Sequence, residues 1–219
     1  TLDSPHNRNA VSSRMVAELR EGFAAAGADD EVRAVVLTHT GSTFCAGADL
    51  SEASNADPAV AADQRTRTMV DLLRAVLELP KPVIGVVDGN VRAGGMGIIG
   101  ACDIVVAGPT SSFGLTEARL GLAPFMILLT LLPRLTARAA ARYYLTGSTF
   151  DSNEAKEIGL ITIAAPDSAE ALGALQRELG KASPQGLAES KRLVNSAVLA
   201  EFDRSAEELA QRSASFFGT

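Results

Sequence analysis

Tryptophan is absent from this chain of 219 residues, and Phe and Tyr raise the aromatic share only to 5%. Stacking platforms for nucleobases are therefore not expected. Basic residues are in the minority, 20 Lys+Arg against 26 Asp+Glu for a net charge of −6. That balance speaks against a nucleic-acid partner, which would need a basic face. Only two cysteines occur, Cys45 and Cys102, at neither CxxC nor metal-ligand spacing. They are expected to be small buried residues in a reducing compartment, and no metal site is expected. The two histidines, His6 and His39, have no Cys or carboxylate partner at ligand spacing, so neither is expected to be catalytic. No apolar run reaches the length of about 18 residues that a membrane span needs. No signal peptide is visible, and a cytoplasmic location is expected. The chain opens mid-pattern at TLDSP, so further residues are expected before it. Internal repeats and low-complexity linkers are also missing.

What is present is apolar and regular. With 47% hydrophobic and 21% charged residues, the chain can bury one large core, with or without a helical appendage. VSSRMVAELREGFAAAGAD has apolar residues at helical spacing, with Ser12 as its N-cap. RAVVLTHTG, PVIGVVD and DIVVAG are continuous apolar, β-branched runs, which predict buried strands. TRTMVDLLRAVLEL predicts an amphipathic helix ended by Pro80. SEASNADPAVAAD predicts a mobile loop over a short helix. Strands alternating with helices imply an α/β core with parallel strands. From about Asp151 the strand signal fades and helical patterns run to the end. The expected division is residues 1–150 as core and active site and 151–219 as a helical region.

Two segments carry the chemistry. FCAGADL at 44–50 and VRAGGMGIIGACDIVVAG at 91–108 each put small residues at a strand end, where backbone N–H groups can be left unpaired. One amide from each can grip a single carbonyl oxygen as it becomes negative, which is an oxyanion hole. A carboxylate, Glu117, follows in the otherwise apolar FGLTEARLGLAP at 113–124. A carboxyl facing an apolar pocket has its pKa raised toward a range useful for proton transfer. The bland alternatives are two tight turns without a ligand, and a Glu117 that pairs with Arg119 or Arg138 or sits in solvent. Gly95-Met96-Gly97-Ile98-Ile99-Gly100 is a literal GxGxxG, but only a short helix fits before DIVVAG, too short for a dinucleotide-binding crossover.

These segments, with SPHNRNAVS at 4–12, LPKPVIGVVDGN and YYLTGSTFDSNEAKEIGL at 143–160, resemble the crotonase (enoyl-CoA hydratase/isomerase) family over nearly the whole chain. The resemblance implies an α/β spiral of ββα turns with a C-terminal helical trimerisation region, assembled as a trimer or a dimer of trimers. It implies an acyl-CoA thioester substrate, with coenzyme A as part of that substrate and no separate cofactor. The Ala48 and Gly94 amides would hold the thioester oxygen, and Glu117 would be the general acid/base. Arg8, Ala46, Ala48 and Leu50 would line the CoA channel, with Arg8 on a phosphate. Gly95 and Gly97 would open a helix whose positive end adds to the field. It also implies a C-terminal tail longer than the one that stops at SASFFGT.

Three departures from the family pattern stand out. Gly97 occupies the place of a second glutamate carried by the family's hydratases, which leans the chemistry toward double-bond isomerisation by one carboxylate. Arg92 stands where an apolar residue is usual; it could meet a CoA phosphate or a substrate carboxylate, or reach solvent. Phe125-Met126-Ile127 replace a Gly-rich stretch and would reshape the acyl pocket, or simply pack the next helix. A true hydratase with its water held elsewhere, a decarboxylase or lyase on the same scaffold, and a non-catalytic acyl-CoA-binding paralogue are the competing readings.

Overall fold

The computed structural model describes residues 1–53 and 58–216. The expected loop at 51–63 falls partly outside these residues. Helix α1 (Ser13–Ala28) starts as its sequence predicts: the Ser12 side chain accepts a hydrogen bond from the Met15 N–H at 3.1 Å. Strands and helices then alternate. β1 (Val35–Leu37) and β2 (Thr43–Cys45) lead to α2 (Pro58–Glu78), and β3 (Val83–Val87) and β4 (Asn90–Arg92) lead to α3 (Gly94–Ala101). β5 (Ile104–Ala107) and β6 (Ser112–Gly114) are followed by a 3-10 turn at Glu117–Leu120, then α4 (Leu128–Leu131) and α5 (Ala137–Thr146). β7 (Thr149–Asp151), α6 (Ser152–Glu157) and β8 (Ile163–Ala164) precede the helices α7 (Ser168–Leu179) and α8 (Pro184–Phe216).

Each ββα turn gives one strand to each of two sheets. The first sheet has the order β1-β3-β5-β8, all parallel. The second has the order β2-β4-β6-β7, parallel except for the antiparallel β6–β7 pair. This is the expected α/β spiral. β3, central in the first sheet, has every residue buried, which is why it reads as an unbroken apolar run. β3 and β5 pair from Ile84↔Ile104 to Val87↔Ala107. The GxGxxG segment lies in α3, which passes from β4 in one sheet to β5 in the other, so it makes no crossover within a sheet.

The strand content outlasts the expected boundary at 150. β8 completes the first sheet through Val106↔Ile163, and the wholly helical part begins only at α7. Both cysteines are buried and unpaired, as expected, and burial pushes the Cys45 thiol up to about 11. α8 lies against α2 and is tied down by a buried polar cluster. Lys191 Nζ meets Asp103 Oδ2 at 2.8 Å and also donates to the Val76 and Lys81 carbonyls. Asn195 Nδ2 donates to the other Asp103 oxygen at 3.0 Å, and the Val83 N–H donates to Asp103 as well. Burial pushes the Lys191 pKa down while Asp103 opposes that shift.

Candidate active site

The ends of β2 and β4 meet over the N-terminus of α3. Gly47 sits at φ 101°, a conformation glycine adopts without strain, and a Cβ there would lie 2.7 Å from the Ala93 Cβ and 3.5 Å from the Gly94 N. The two loops are therefore in contact, and only a residue without a side chain lets them be. Ala48 is held by a parallel bridge to Val11, in which the Val11 N–H bonds Gly47 O and the Asp49 N–H bonds Val11 O. That pattern leaves the Ala48 N–H pointing away from Val11. Ala93 takes the positive φ of 46° and caps α3 without a side-chain bond, so Gly94 enters as the first helical residue. Among the described residues, neither the Ala48 nor the Gly94 amide donates to a protein acceptor. Two unpaired donors at the mouth of one cavity, one of them at a helix N-terminus, form an anion-binding corner.

The cavity they open on has a volume of about 300 Å³. Ala46, Ala48, Arg92, Gly94, Glu117 and Phe125 all line it, so six of the residues singled out from the sequence come together. Three of the described ones do not line it. Gly95 is packed against β2, where a Cβ would lie 2.8 Å from Cys45. Gly97 is buried behind Ile127. Arg8 is exposed on a left-handed turn, and contributes its carbonyl to the Ala46 N–H. Leu50 lies in the 3-10 turn after the Ala48 loop, and its side chain is outside the described residues. Gly95 and Gly97 thus let α3 pack closely on its neighbours.

Glu117 opens its 3-10 turn directly on the cavity. Its Oε2 is buried without a hydrogen-bond partner, and burial pushes its pKa up. The ion pair with Arg119 or Arg138 does not form; Arg119 instead donates to the Thr146 carbonyl at 2.8 Å. An unpaired carboxyl half-sunk in an apolar wall prefers to be neutral yet can ionise, the property a proton carrier needs.

Arg92 lines the cavity and does not reach out to solvent. Nη1 donates to the Val91 and Ser112 carbonyls at 2.8 and 2.6 Å, and Nη2 to Ser112 Oγ and Asn90 Oδ1. Its guanidinium is fastened to β4 and β6 beside the oxyanion corner rather than extended to solvent.

Two of the departures explain each other. A Cβ on Gly97 would lie 2.5 Å from Ile127 Cγ2, closer than real contacts allow. Ile127 is buried on the cavity wall, and Thr130 Oγ1 fixes its segment by donating to Gly97 O at 2.9 Å. The place of a second carboxylate is filled with hydrocarbon. Phe125, Met126 and Ile127 both line the cavity and belong to the core, so the two sequence readings of this stretch hold together.

A larger cavity of about 570 Å³ lies between the N-terminal segment, α1 and β1, and none of the oxyanion or Glu117 groups reaches it. Among the described residues no cluster of His, Cys, Asp and Glu could hold a metal ion, and no helix is long and apolar enough to cross a membrane.

Two unpaired amides and one carboxylate around a cavity, on a spiral of two largely parallel sheets, agree with what comparison with known proteins finds. The family model for enoyl-CoA hydratase/isomerase matches residues 1–217. The chain belongs to the enoyl-CoA hydratase/isomerase family. A crystal structure of an enoyl-CoA hydratase from Mycobacterium avium is 56% identical, with a TM-score of 0.94, over 99% of this chain and 83% of that one. The 1,2-epoxyphenylacetyl-CoA isomerase of Escherichia coli K12 is 33% identical over 99% of this chain and 87% of its own length. EchA19, an enoyl-CoA hydratase of Mycobacterium tuberculosis, is 33% identical over 80% and 67%. The chain is thus an enzyme of this family, and its relatives include both hydratases and an isomerase. Tyr144, in the YYLTGSTF segment but given no role by the sequence, is a further polar group near the Glu117 turn; its place on α5 reveals it.

Proposed function

We propose that this enzyme moves a double bond along the acyl chain of a coenzyme A thioester, with Glu117 as the single acid/base. The observation that carries this reading is the filled space at Gly97, where Ile127 leaves one carboxylate in the site. The ionised Glu117 takes a proton from C2 of a 3-enoyl thioester. The C2 electrons move into the thioester carbonyl, whose oxygen becomes negative between the Ala48 and Gly94 N–H groups. The dienolate then takes the proton back from Glu117 at C4, leaving a C2–C3 double bond. Atoms and charge balance without a second acid, and the carboxyl returns to its starting state. Aimed amide donors supply the largest part of such a rate gain.

Arg92 would add a fixed positive field near the developing oxyanion. Arg8, Ala46 and Leu50 would flank the CoA moiety, and Phe125 would bound the acyl group. The family also contains hydratases, and the similarity to the Mycobacterium avium protein favours water addition as the second reading. Incubation with trans-2-enoyl-CoA and trans-3-enoyl-CoA, read by mass and absorbance, separates the two. Isomerisation converts the 3-enoyl thioester to the conjugated one at unchanged mass; a product heavier by one water as the main outcome would overturn the proposal. For assembly, we propose a trimer or a dimer of trimers, and for location the cytoplasm.

A further inference from the structure

Among the described residues, three buried side-chain oxygens have no hydrogen-bond partner: Asn7 Oδ1, Glu117 Oε2 and the Tyr144 hydroxyl. The last two belong to one neighbourhood. α5 packs on the 3-10 turn that carries Glu117. Arg119 of that turn donates to the Thr146 carbonyl, and a Cβ on Gly147 would touch its side chain at 2.8 Å. The end of α5 bearing Tyr144 is therefore clamped to the turn bearing Glu117. Tyr143 faces elsewhere, with its ring 4.2 Å from that of Phe150 and its hydroxyl donating to Glu154 at 2.6 Å. The Tyr144 hydroxyl has its pKa raised by burial first and then by the Glu117 carboxylate, so it stays a protonated donor.

Buried polar atoms in native proteins are nearly always paired, and an orphan costs about 1–3 kcal/mol. Here a donor without an acceptor accompanies an acceptor without a donor. We infer that Tyr144 is a positioning residue for Glu117: its hydroxyl donates to Glu117 Oε2 when that carboxylate is ionised, fixing its orientation and favouring its base form. One shared water suffices to join two oxygens that do not touch. The inference deepens the proton shuttle proposed above and rests on it for its activity readout alone.

Other charged groups around Glu117 are accounted for. Arg92 from β4 and Arg65 from α2 are on the cavity wall, Arg119 is on the same turn, and Arg212 from α8 lies over the Phe125 ring. On α5, Arg142 lies over Tyr143 and pairs with Glu154. The direction of the Glu117 shift follows from burial, opposed only by its own backbone N–H.

Tyr144→Phe deletes one oxygen that has no protein partner, so the fold is kept. The expected loss of kcat/KM is concentrated on the acid limb of the pH profile and is roughly ten-fold there, the factor that accompanies a one-unit displacement of the limb. The direct readout uses unliganded protein: the infrared carbonyl band of protonated Glu117, assigned by its disappearance in Glu117→Gln, titrates with a higher midpoint in Tyr144→Phe. Replacing Tyr144 by a difluorotyrosine keeps the shape, strengthens the donor and is expected to lower the midpoint. An unmoved midpoint in both variants overturns the inference, even if Glu117→Gln abolishes turnover. A moved midpoint together with an active Glu117→Gln overturns the proton shuttle and leaves this inference standing.

Discussion

Glu117 is placed where its chemistry works against the stability of the fold. Burial pushes its pKa above the ordinary carboxylate range, so the folded protein pays for ionising it. That cost is absent below the ordinary carboxyl pKa, where folded and unfolded chains are both protonated. It grows as pH rises through the raised value. Glu117→Gln is therefore expected to lower turnover by about 10²–10⁴ and to raise the melting temperature, with a stabilisation that is larger at neutral than at acid pH. Turnover and thermal scans at two pH values check both halves. Gly97 makes the second residue-scale case. Gly97→Ala drives a methyl group into Ile127 and is expected to cost about 1–3 kcal/mol. Adding Ile127→Ala should recover part of that, and denaturant melts of the two single variants and the double variant measure the coupling. Small residues at strand ends and a lone acid in an apolar run marked the segments, the family resemblance singled out Ala48, Gly94 and Glu117 within them, and the structure brings all three to one cavity. The Gly97–Ile127 contact was not legible in the sequence, since it joins residues thirty positions apart through space. Tyr144 was silent for the same reason.

Among the elements, the long apolar runs were readable and the short strands were not. β3 and β5 announce themselves as continuous apolar segments, buried throughout in β3 and from Val105 on in β5. β2, β4, β6 and β7 have three residues each, too few for any periodicity to be counted, and they make up the whole second sheet. β8 has two and hid inside a stretch read as helical. Helix α8 was readable as a helix, but not the way it is anchored. Lys191 and Asp103, 4% and 14% exposed, form its buried ion pair with the core. Lys191→Met leaves Asp103 without its cation and is expected to cost about 3–5 kcal/mol. Chemical denaturation followed by far-ultraviolet circular dichroism measures it. A loss within 1 kcal/mol, on the order of an exposed pair, would show that the cluster is not the anchor.

For the molecule as a whole, the apolar positions after Asp151 range from buried to exposed. Ile158, Leu160, Ile161, Val198 and Phe202 are buried within the chain, so they need no partner subunit. Leu193 and Val194 on α8 are 64% and 68% exposed; before Asp151, Leu120 on the rim of the cavity and Leu145 on α5 are exposed as well. The case for assembly rests on this smaller set, and large exposed apolar side chains of this kind mark interfaces. Light scattering is expected to give a multiple of three times the 22.7 kDa chain; the mass of one chain or of two would contradict it. At this scale the spiral brings two strand ends and one turn to the rim of a single cavity, and the proposed function has its one carboxylate move a proton there. Transfer of deuterium tests that claim most directly. A 3-enoyl-CoA labelled at C2, turned over in ordinary water, should give a 2-enoyl product that carries part of its label at C4, and Glu117→Gln should give no such product. A product with one added water, or one whose C4 carries only hydrogen from solvent, would contradict return of the proton by a single buried base.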